Sequence, residues 1–461
     1  MITLRDYQEK AVSDIRNAFF MAARSVLLVA PTGAGKTVIL SKICEGVRDK
    51  QKRALILVHR RELVVQTART LEGFGIPCRV IAAGCEGGDD NAAVTVATVQ
   101  TLSRRELPGA DLLLIDEAHH AVAGMWQKVA AAYAATSRII GVTATPERLD
   151  GRGLGKDAGG IFDAMVAGPS VADLTKRGYL SRARVFAPPV PVDWDGLKTV
   201  AGDWDKNEMA RRLNKPAIIG DVIAHYGKFA AGVPTVAFCP TVAFAASLAA
   251  DFRAAGYRAA SLDGGTDDEE RRRVIADLGS GRLDVLTSCE IISEGVDVPV
   301  VGAAILLRRT KSLSLYLQQV GRALRPYPGK KETVILDHVG NAITHGLPDE
   351  EREWSLAGRI KRKRATHDDD AVPSCRQCPK CYAVFDAKLP ACPLCGEAAK
   401  KTPREIAREE GELKELSRRE ARREQGRTDS IEDLIRLGQA RGYKNPAAWA
   451  WYVWNGRKKR K

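Results

Sequence analysis

Nothing in this 461-residue chain approaches the run of about 20 apolar residues that a membrane-spanning helix requires. The opening segment, Met1 to Lys10, is charged at once and lacks a secretory apolar core. Membrane insertion and secretion are therefore not expected, and the predicted compartment is the cytoplasm, where disulfides do not persist. No nuclease constellation is legible, and no repeat beyond two similar halves. With disulfides set aside, ten cysteines need another use. Cys44, Cys78, Cys85, Cys239 and Cys289 stand singly and read as small core residues. The other five crowd between Cys375 and Cys395 and predict a metal site.

What the chain has in excess is positive charge, a formal net of +14 beside an ordinary 45% hydrophobic and 28% charged content. A basic surplus of this size favours a polyanionic partner, although a solvated basic surface would give the same count. The length suits two or three domains. Short apolar runs at 25–30, 54–58, 93–97, 112–115 and 139–142 alternate with stretches of helical length, the pattern of a parallel sheet covered on both faces. A mobile glycine-rich loop is expected over 151–160. The rhythm breaks at Pro188 to Pro191 and resumes with strands at 235–238, 259–262, 284–287, 303–307 and 333–336. The predicted division is an α/β domain over 1–190, a linker over 191–214 and a second α/β domain over 215–345. A charged linker over 346–372, a cysteine-rich module over 373–398 and a basic helical tail over 399–461 complete it.

The run Ser25 to Ala30 leads into Pro31-Thr32-Gly33-Ala34-Gly35-Lys36-Thr37 and then a helical stretch. Strand, glycine-rich turn and helix N-terminus together make a phosphate cradle, in which Lys36 reaches the β/γ phosphates of ATP and Thr37 places a hydroxyl on Mg²⁺. The general pattern begins with glycine, and here Ala30 stands in its place. Further on, the apolar run Leu112 to Ile115 ends in Asp116-Glu117-Ala118-His119. Asp116 is suited to hold Mg²⁺ through its water shell and Glu117 to polarise the attacking water. His119 is expected to couple this site to the other domain. Arg322 and Arg325, three apart, are expected to share a helix face and meet a transferring phosphoryl group together.

From residue 1 to about 345 the motifs, in this order, resemble those of superfamily 2 helicases with a DEAH box. The resemblance implies two tandem RecA-like domains with ATP between them. Leu4-Arg5-Asp6-Tyr7-Gln8 looks like the adenine-reading segment, with Gln8 on the base edge and Arg5 or Tyr7 near its face. His59 to Leu63, including Arg60, and Thr95 to Gln100, including Thr98, resemble strand-gripping motifs, as do Phe238 to Thr241 and Leu262 to Gly265. Thr143-Ala144-Thr145 resembles the motif joining hydrolysis to unwinding. Thr287 to Asp297, with Gly295, looks like the segment touching nucleic acid and the ATP ribose. Gln318 to Arg325 resembles the arginine-finger helix. The spellings of HRREL, DEAH and SEGVDVP look more like the DNA branch than the RNA branch, and the whole chain is similar to helicases of bacteriophages and prophages. DNA is favoured over RNA as partner.

Cys378-Pro-Lys-Cys381 and Cys392-Pro-Leu-Cys395 are two C-P-x-C turns, the spacing that lets four thiolates close on one Zn²⁺. Gly396 suits a turn with positive φ. Cys375 lacks the proline and is left out of the tetrad. The ribbon is open to three uses: gripping DNA, docking a protein partner, or stapling a small segment. A charged helix is expected from Pro403 to Gln425. In the tail, Trp449, Trp451, Tyr452 and Trp454 beside Arg457 to Lys461 suit base stacking with phosphate contact, while Trp451 and Trp454, three apart, equally suit packing of a helix end onto the body.

Overall fold

The computed structural model describes residues 3–121, 124–148, 152–187, 192–200, 202–289, 300–358, 374–398, 428, 430–441 and 445–458. They fall into two units, Met1–Glu397 and Ala398–Lys461.

The first unit holds two RecA-like lobes. In the first, β1 (Ser25–Val29), β2 (Ala54–Val58), β3 (Cys78–Ile81), β4 (Gly87–Gly88), β5 (Val94–Thr98), β6 (Leu112–Asp116), β7 (Arg138–Thr143) and β8 (Ala164–Ala167) form one sheet. Its order is β4-β3-β5-β2-β6-β7-β1-β8, parallel except for β4. The four strands β1, β2, β5 and β6 are buried at every residue, which is why they read as largely apolar runs, with Thr95 and Thr98 the polar members of β5. Around them lie α1 (Asp6–Phe20), α2 (Lys36–Arg48), α3 (Arg61–Gly73), α4 (Val99–Leu102), α5 (Gly124–Ala134) and α6 (Val171–Lys176).

The second sheet comprises β9 (Arg182–Phe186), β12 (Thr235–Phe238), β13 (Ala259–Leu262), β14 (Val285–Ser288), β15 (Ala303–Leu306), β16 (Glu332–Asp337), β17 (Cys375–Gln377) and β18 (Ala383–Asp386). Its order is β13-β14-β12-β15-β16-β9-β18-β17. A small hairpin, β10 (Thr199–Val200) and β11 (Asp203–Trp204), precedes α7 (Lys206–Leu213) and α8 (Pro216–Phe229). The remaining helices of this lobe are α9 (Val242–Ala254), α10 (Asp268–Gly279), α11 (Leu313–Ala323) and α12 (Asn341–His345).

Three features differ from the sequence expectation. Residues 182–186, placed in the first domain by the expected boundary at 190, form β9, which pairs in parallel with β16 and belongs to the second sheet. The cysteine-rich hairpin is no separate body, because β18 pairs antiparallel with β9 and continues that sheet. Residues 152–160 of the glycine-rich stretch form no free loop. The chain returns from α12 over residues 347–358, with Trp354 and Leu356 packed against the core of the first lobe. There Gly155 N–H donates to Leu356 O at 2.9 Å, and Gly153 lies so close to Leu356 O that no β-carbon would fit. This strap is a second tie between the lobes.

The second unit contains α13 (Ile431–Ala440) and α14 (Pro446–Lys458). Gly438 packs against Trp449 and Pro446, and Leu434 and Ala450 are buried, while Trp451 is 59% exposed. The residue that packs this helix pair is Trp449, whereas the packing reading of the tail names Trp451 and Trp454. The helix expected over 403–425 and the basic residues 459–461 lie outside the described residues.

Candidate active site

Two glycines shape the turn between β1 and α2. Gly33 and Gly35 have φ of 89° and 76°, in the left-handed region that glycine alone enters freely. They also have close neighbours: a β-carbon on Gly33 would stand 2.8 Å from Leu180 Cδ2, and one on Gly35 2.5 Å from Gln8 Nε2. Gly35 caps α2, so Lys36 and Thr37 open the helix at its positive end. Lys36 Nζ donates to Ala30 O at 3.3 Å across the loop. Ala30 is itself fixed by its N–H to Thr143 O at 2.9 Å.

Helix α1 braces the loop from outside. Tyr7 Oη and Gln8 Nε2 each donate to Ala34 O at 3.1 Å, and Gln8 Oε1 accepts from Arg5 N–H at 3.0 Å. The Arg5 guanidinium lies 4.3 Å over the ring of Tyr179, whose centroid is 5.4 Å from that of Tyr7. Tyr179 follows α6, belongs to none of the motifs recognised in the sequence, and joins this cluster only through the fold.

The acidic pair sits where β6 ends. Asp116 is 7% exposed, and its burial, aided by the charge of Glu117, raises its pKa to about 6. Glu117 adopts φ 49°. Burial opposes its charge too, but the Lys36 ammonium and His119 outweigh it and hold the carboxyl well below its usual range. His119 Nδ1 is 3.4 Å from Glu117 Oε2 and 3.2 Å from Thr143 Oγ1. Because Thr143 Oγ1 donates its own hydrogen to Thr145 O at 2.8 Å, it must accept at His119, so Nδ1 carries the proton. His119 therefore joins the acidic pair to Thr143 and Thr145 within its own lobe. Among the described residues His119 makes no hydrogen bond or ion pair to the other lobe, the link expected of it.

The second lobe closes the cleft through α11. A β-carbon on Gly321 would meet Thr32 Cβ at 2.6 Å, and the Arg325 side chain stands 3.8 Å from the corresponding position at Gly33. Arg322, next to Gly321, is on the helix. Arg325 lies beyond α11, which ends at Ala323, so the two arginines do not share a helix face as expected. Gln318 is 3% exposed, and its Nε2 has no acceptor among the described residues. Ion pairs tie the lobes elsewhere, Arg271 to Glu62 at 3.0 Å and Arg61 to Asp268 at 3.4 Å.

Of the residues expected on nucleic acid, Thr287 is fully buried and donates to Ala245 O at 2.8 Å. That hydroxyl secures α9 and cannot reach a strand. Thr98 is 6% exposed and donates to Thr101 Oγ1 at 2.9 Å. Thr241 caps α9 by accepting from Phe244 N–H at 3.2 Å. Gln100 is exposed and donates to His59 O at 3.0 Å; Arg60 is half-buried at the start of α3. Gly295 and Asp297 lie outside the described residues.

The four sulfurs of Cys378, Cys381, Cys392 and Cys395 lie within 4.8 Å of one another, with Cys378–Cys395 and Cys381–Cys392 both at 3.6 Å. A tetrahedral zinc with Zn–S of about 2.3 Å sets its sulfurs about 3.8 Å apart, so the set fits. Each knuckle ends on a left-handed residue, Tyr382 at φ 63° and Gly396 at φ 74°. Burial works against charge at Cys378, yet the N–H groups of Cys381 and Lys380 bring its pKa down to about 7. Cys375 is buried, donates to Ala342 O at 3.0 Å, and is pushed up to about 12 by burial. It stays a thiol outside the tetrad.

Comparison with known proteins finds a family match within each lobe. Residues 1–148 match the family described as the res subunit of type III restriction enzymes, and residues 214–327 the helicase conserved C-terminal domain. A Lactococcus phage protein described only as a 51.5 kDa protein is 34% identical over 80% of this chain and 77% of its own. IRC3 of Saccharomyces cerevisiae, named for an ATP-dependent helicase, is 30% identical over 73% of this chain and 51% of its own. Among solved structures, the ATP-dependent Type ISP restriction-modification enzyme LlaBIII bound to DNA superposes with a TM-score of 0.54 at 18% identity, covering 72% of this chain and 27% of that one. The chain thus spans about half of the yeast protein and a quarter of the restriction enzyme. Among the described residues no helix is long and apolar enough to cross a membrane.

Proposed function

The chain belongs to the superfamily 2 ATP-dependent helicases, of the type found in phages and restriction systems, and from that premise we propose that it moves along or unwinds DNA by opening and closing its interlobe cleft. The observation that carries this reading is the approach of Gly321 on α11 to Thr32 in the phosphate loop. It brings the arginine-bearing segment of one lobe against the phosphate cradle of the other.

In this reading Thr32 to Thr37 wrap the phosphates, and Lys36 exchanges Ala30 O for a phosphate oxygen. Thr37 and Asp116 would hold Mg²⁺, which neutralises charge on the β/γ phosphates. Glu117, kept anionic by Lys36 and His119, takes the proton of the attacking water. Arg322 and Arg325 meet charge that develops on the transferring group and is absent beforehand, so hydrolysis requires a closed cleft. Gln318, a buried donor with a spare hydrogen, is placed to report closure; such a donor left unpaired costs ~1–3 kcal/mol. The chain His119–Thr143–Thr145 carries the state of the acidic pair towards the groove that grips the strand.

DNA is the proposed track on two grounds, the net charge of +14 and the spelling of the motifs, and the Type ISP enzyme of like fold is described as bound to DNA. Arg60, Gln100 and Thr241 are the proposed strand contacts; Thr287 is withdrawn. Zinc is the proposed occupant of the cysteine tetrad, with a structural role on the edge of the second sheet. ATPase rates with single-stranded, duplex and forked DNA and with RNA, measured side by side with strand displacement, test the reading. Stimulation by DNA is expected; stimulation by RNA alone would move the protein to the other branch.

A further inference from the structure

The end of α11 presents a physical problem. Carbonyls in the last turn of a helix have no intrahelical partner, and the turn that follows must hold Arg325 against the phosphate loop. The chain solves it with a residue that none of the recognised motifs includes. After Arg325 comes Pro326-Tyr327-Pro328-Gly329-Lys330. Two prolines fix their own φ, and Gly329 at φ 85° turns the backbone back beneath the helix. The turn is closed by Lys330 N–H donating to Tyr327 O at 3.0 Å. Gly302 gives the turn its seat, since a β-carbon there would stand 2.7 Å from Tyr327 Oη.

Lys330 is thereby folded under the helix end. Its Nζ donates to Arg325 O at 2.9 Å, to Val301 O at 2.8 Å and to Ala323 O. These three acceptors use all three of its hydrogens. Thr333 Oγ1 adds a second bond to Ala323 O at 2.9 Å, and Ser181 N–H donates to Leu324 O at 2.8 Å. Every carbonyl from Ala323 to Arg325 is therefore bonded; burial pushes the Lys330 amine down to about 7, while three acceptors and the negative end of the α11 dipole favour its charged form.

We propose that Lys330 is a positioning residue for hydrolysis: its ammonium ties the carbonyls of Ala323 and Arg325 to that of Val301, in the segment that leads into β15, and so holds Arg322 and Arg325 at the phosphate loop. Lys330 touches no substrate. It acts through the backbone of the segment whose side chains do, and an error of about 1 Å in such placement is enough to cost about 100-fold in rate. The inference rests on the proposed role of the arginines and adds to it the device that aims them.

The test compares Lys330→Met, which keeps the aliphatic stem, with Arg322→Ala and with the double variant, each in the full chain. Three readouts are taken: kcat and KM for ATP, affinity for ADP, and affinity for ADP with aluminium fluoride, a mimic of the transferring phosphoryl group. Lys330→Met is expected to lower kcat at least 10-fold with KM and ADP affinity within about twofold, and to weaken the fluoride complex selectively. In the Arg322→Ala background its further effect on that complex should shrink to the share that acts through Arg325. Equal loss of ADP and ADP–fluoride affinity, or full additivity with Arg322→Ala, would show a general structural role and overturn the proposal. If Arg322→Ala itself binds the fluoride complex like the parent protein, the arginine assignment fails, separately from anything Lys330 does.

Discussion

At the scale of single residues, the acidic pair shows how one environment gives two adjacent carboxyls opposite tendencies. Asp116 is buried and Glu117 largely so, but the Lys36 ammonium and His119 favour the charge on Glu117, and that charge disfavours a second one on Asp116. Glu117→Gln should therefore retain ATP binding while hydrolysis falls by ~10²–10⁴, the range typical of a lost general base; a turnover within a few-fold of the parent's would remove Glu117 from that role. With its pKa raised to about 6, Asp116 gains a proton as pH falls through that value and loses its claim on Mg²⁺. ATPase activity should drop on the acid side of about pH 6, and higher Mg²⁺ should move the midpoint to lower pH, because metal and proton compete for one oxygen pair. A midpoint indifferent to Mg²⁺ would assign the titration to another group.

Elements decide what could be read in advance. Strands β1, β2, β5 and β6 are covered on both faces, so their sequences are largely apolar runs and their places were legible. Strand β9, Arg-Ala-Arg-Val-Phe, is exposed at one end and buried at the other, and no periodicity announces which sheet it joins. The cysteine tetrad was legible because two-residue spacing is itself the geometry of a metal knuckle; its docking on β9 was not, because pairing partners leave no local mark. Tyr179 and Lys330 escaped for the same reason, each acting on residues brought near by the fold. Thr287 misled in the opposite sense, a motif position whose hydroxyl the core consumes. Two tests belong here. Gly321→Val would push α11 off Thr32 and should lower kcat about 100-fold while ADP affinity stays within a few-fold. Cys392→Ser should abolish bound zinc and, because the hairpin continues the second sheet, lower the melting temperature of the whole lobe rather than of a detached module; metal analysis with calorimetry would decide.

Over the whole molecule, the lobes are joined twice, by the chain that leaves the first sheet for β9 and by the strap that returns over residues 347–358. Trp354 and Leu356 anchor that strap in the core of the first lobe, and Arg352 stiffens it with four bonds to the carbonyls of His345, Leu347, Pro348 and Glu350. Trp354→Ala should cost ~2 kcal/mol of stability, less than a fully buried tryptophan because the ring is only half-buried. A doubly tied cleft limits how far the arginines can withdraw, so their part in hydrolysis shows when they are removed. The most direct test is single-turnover hydrolysis by the Arg322→Ala, Arg325→Ala double variant at saturating ATP and DNA. The account predicts ATP bound nearly as tightly as by the parent and cleaved ~10³-fold more slowly or worse. Cleavage at the parent's rate would mean that the second lobe contributes nothing to the chemistry, and the account of a cleft-driven motor would be contradicted.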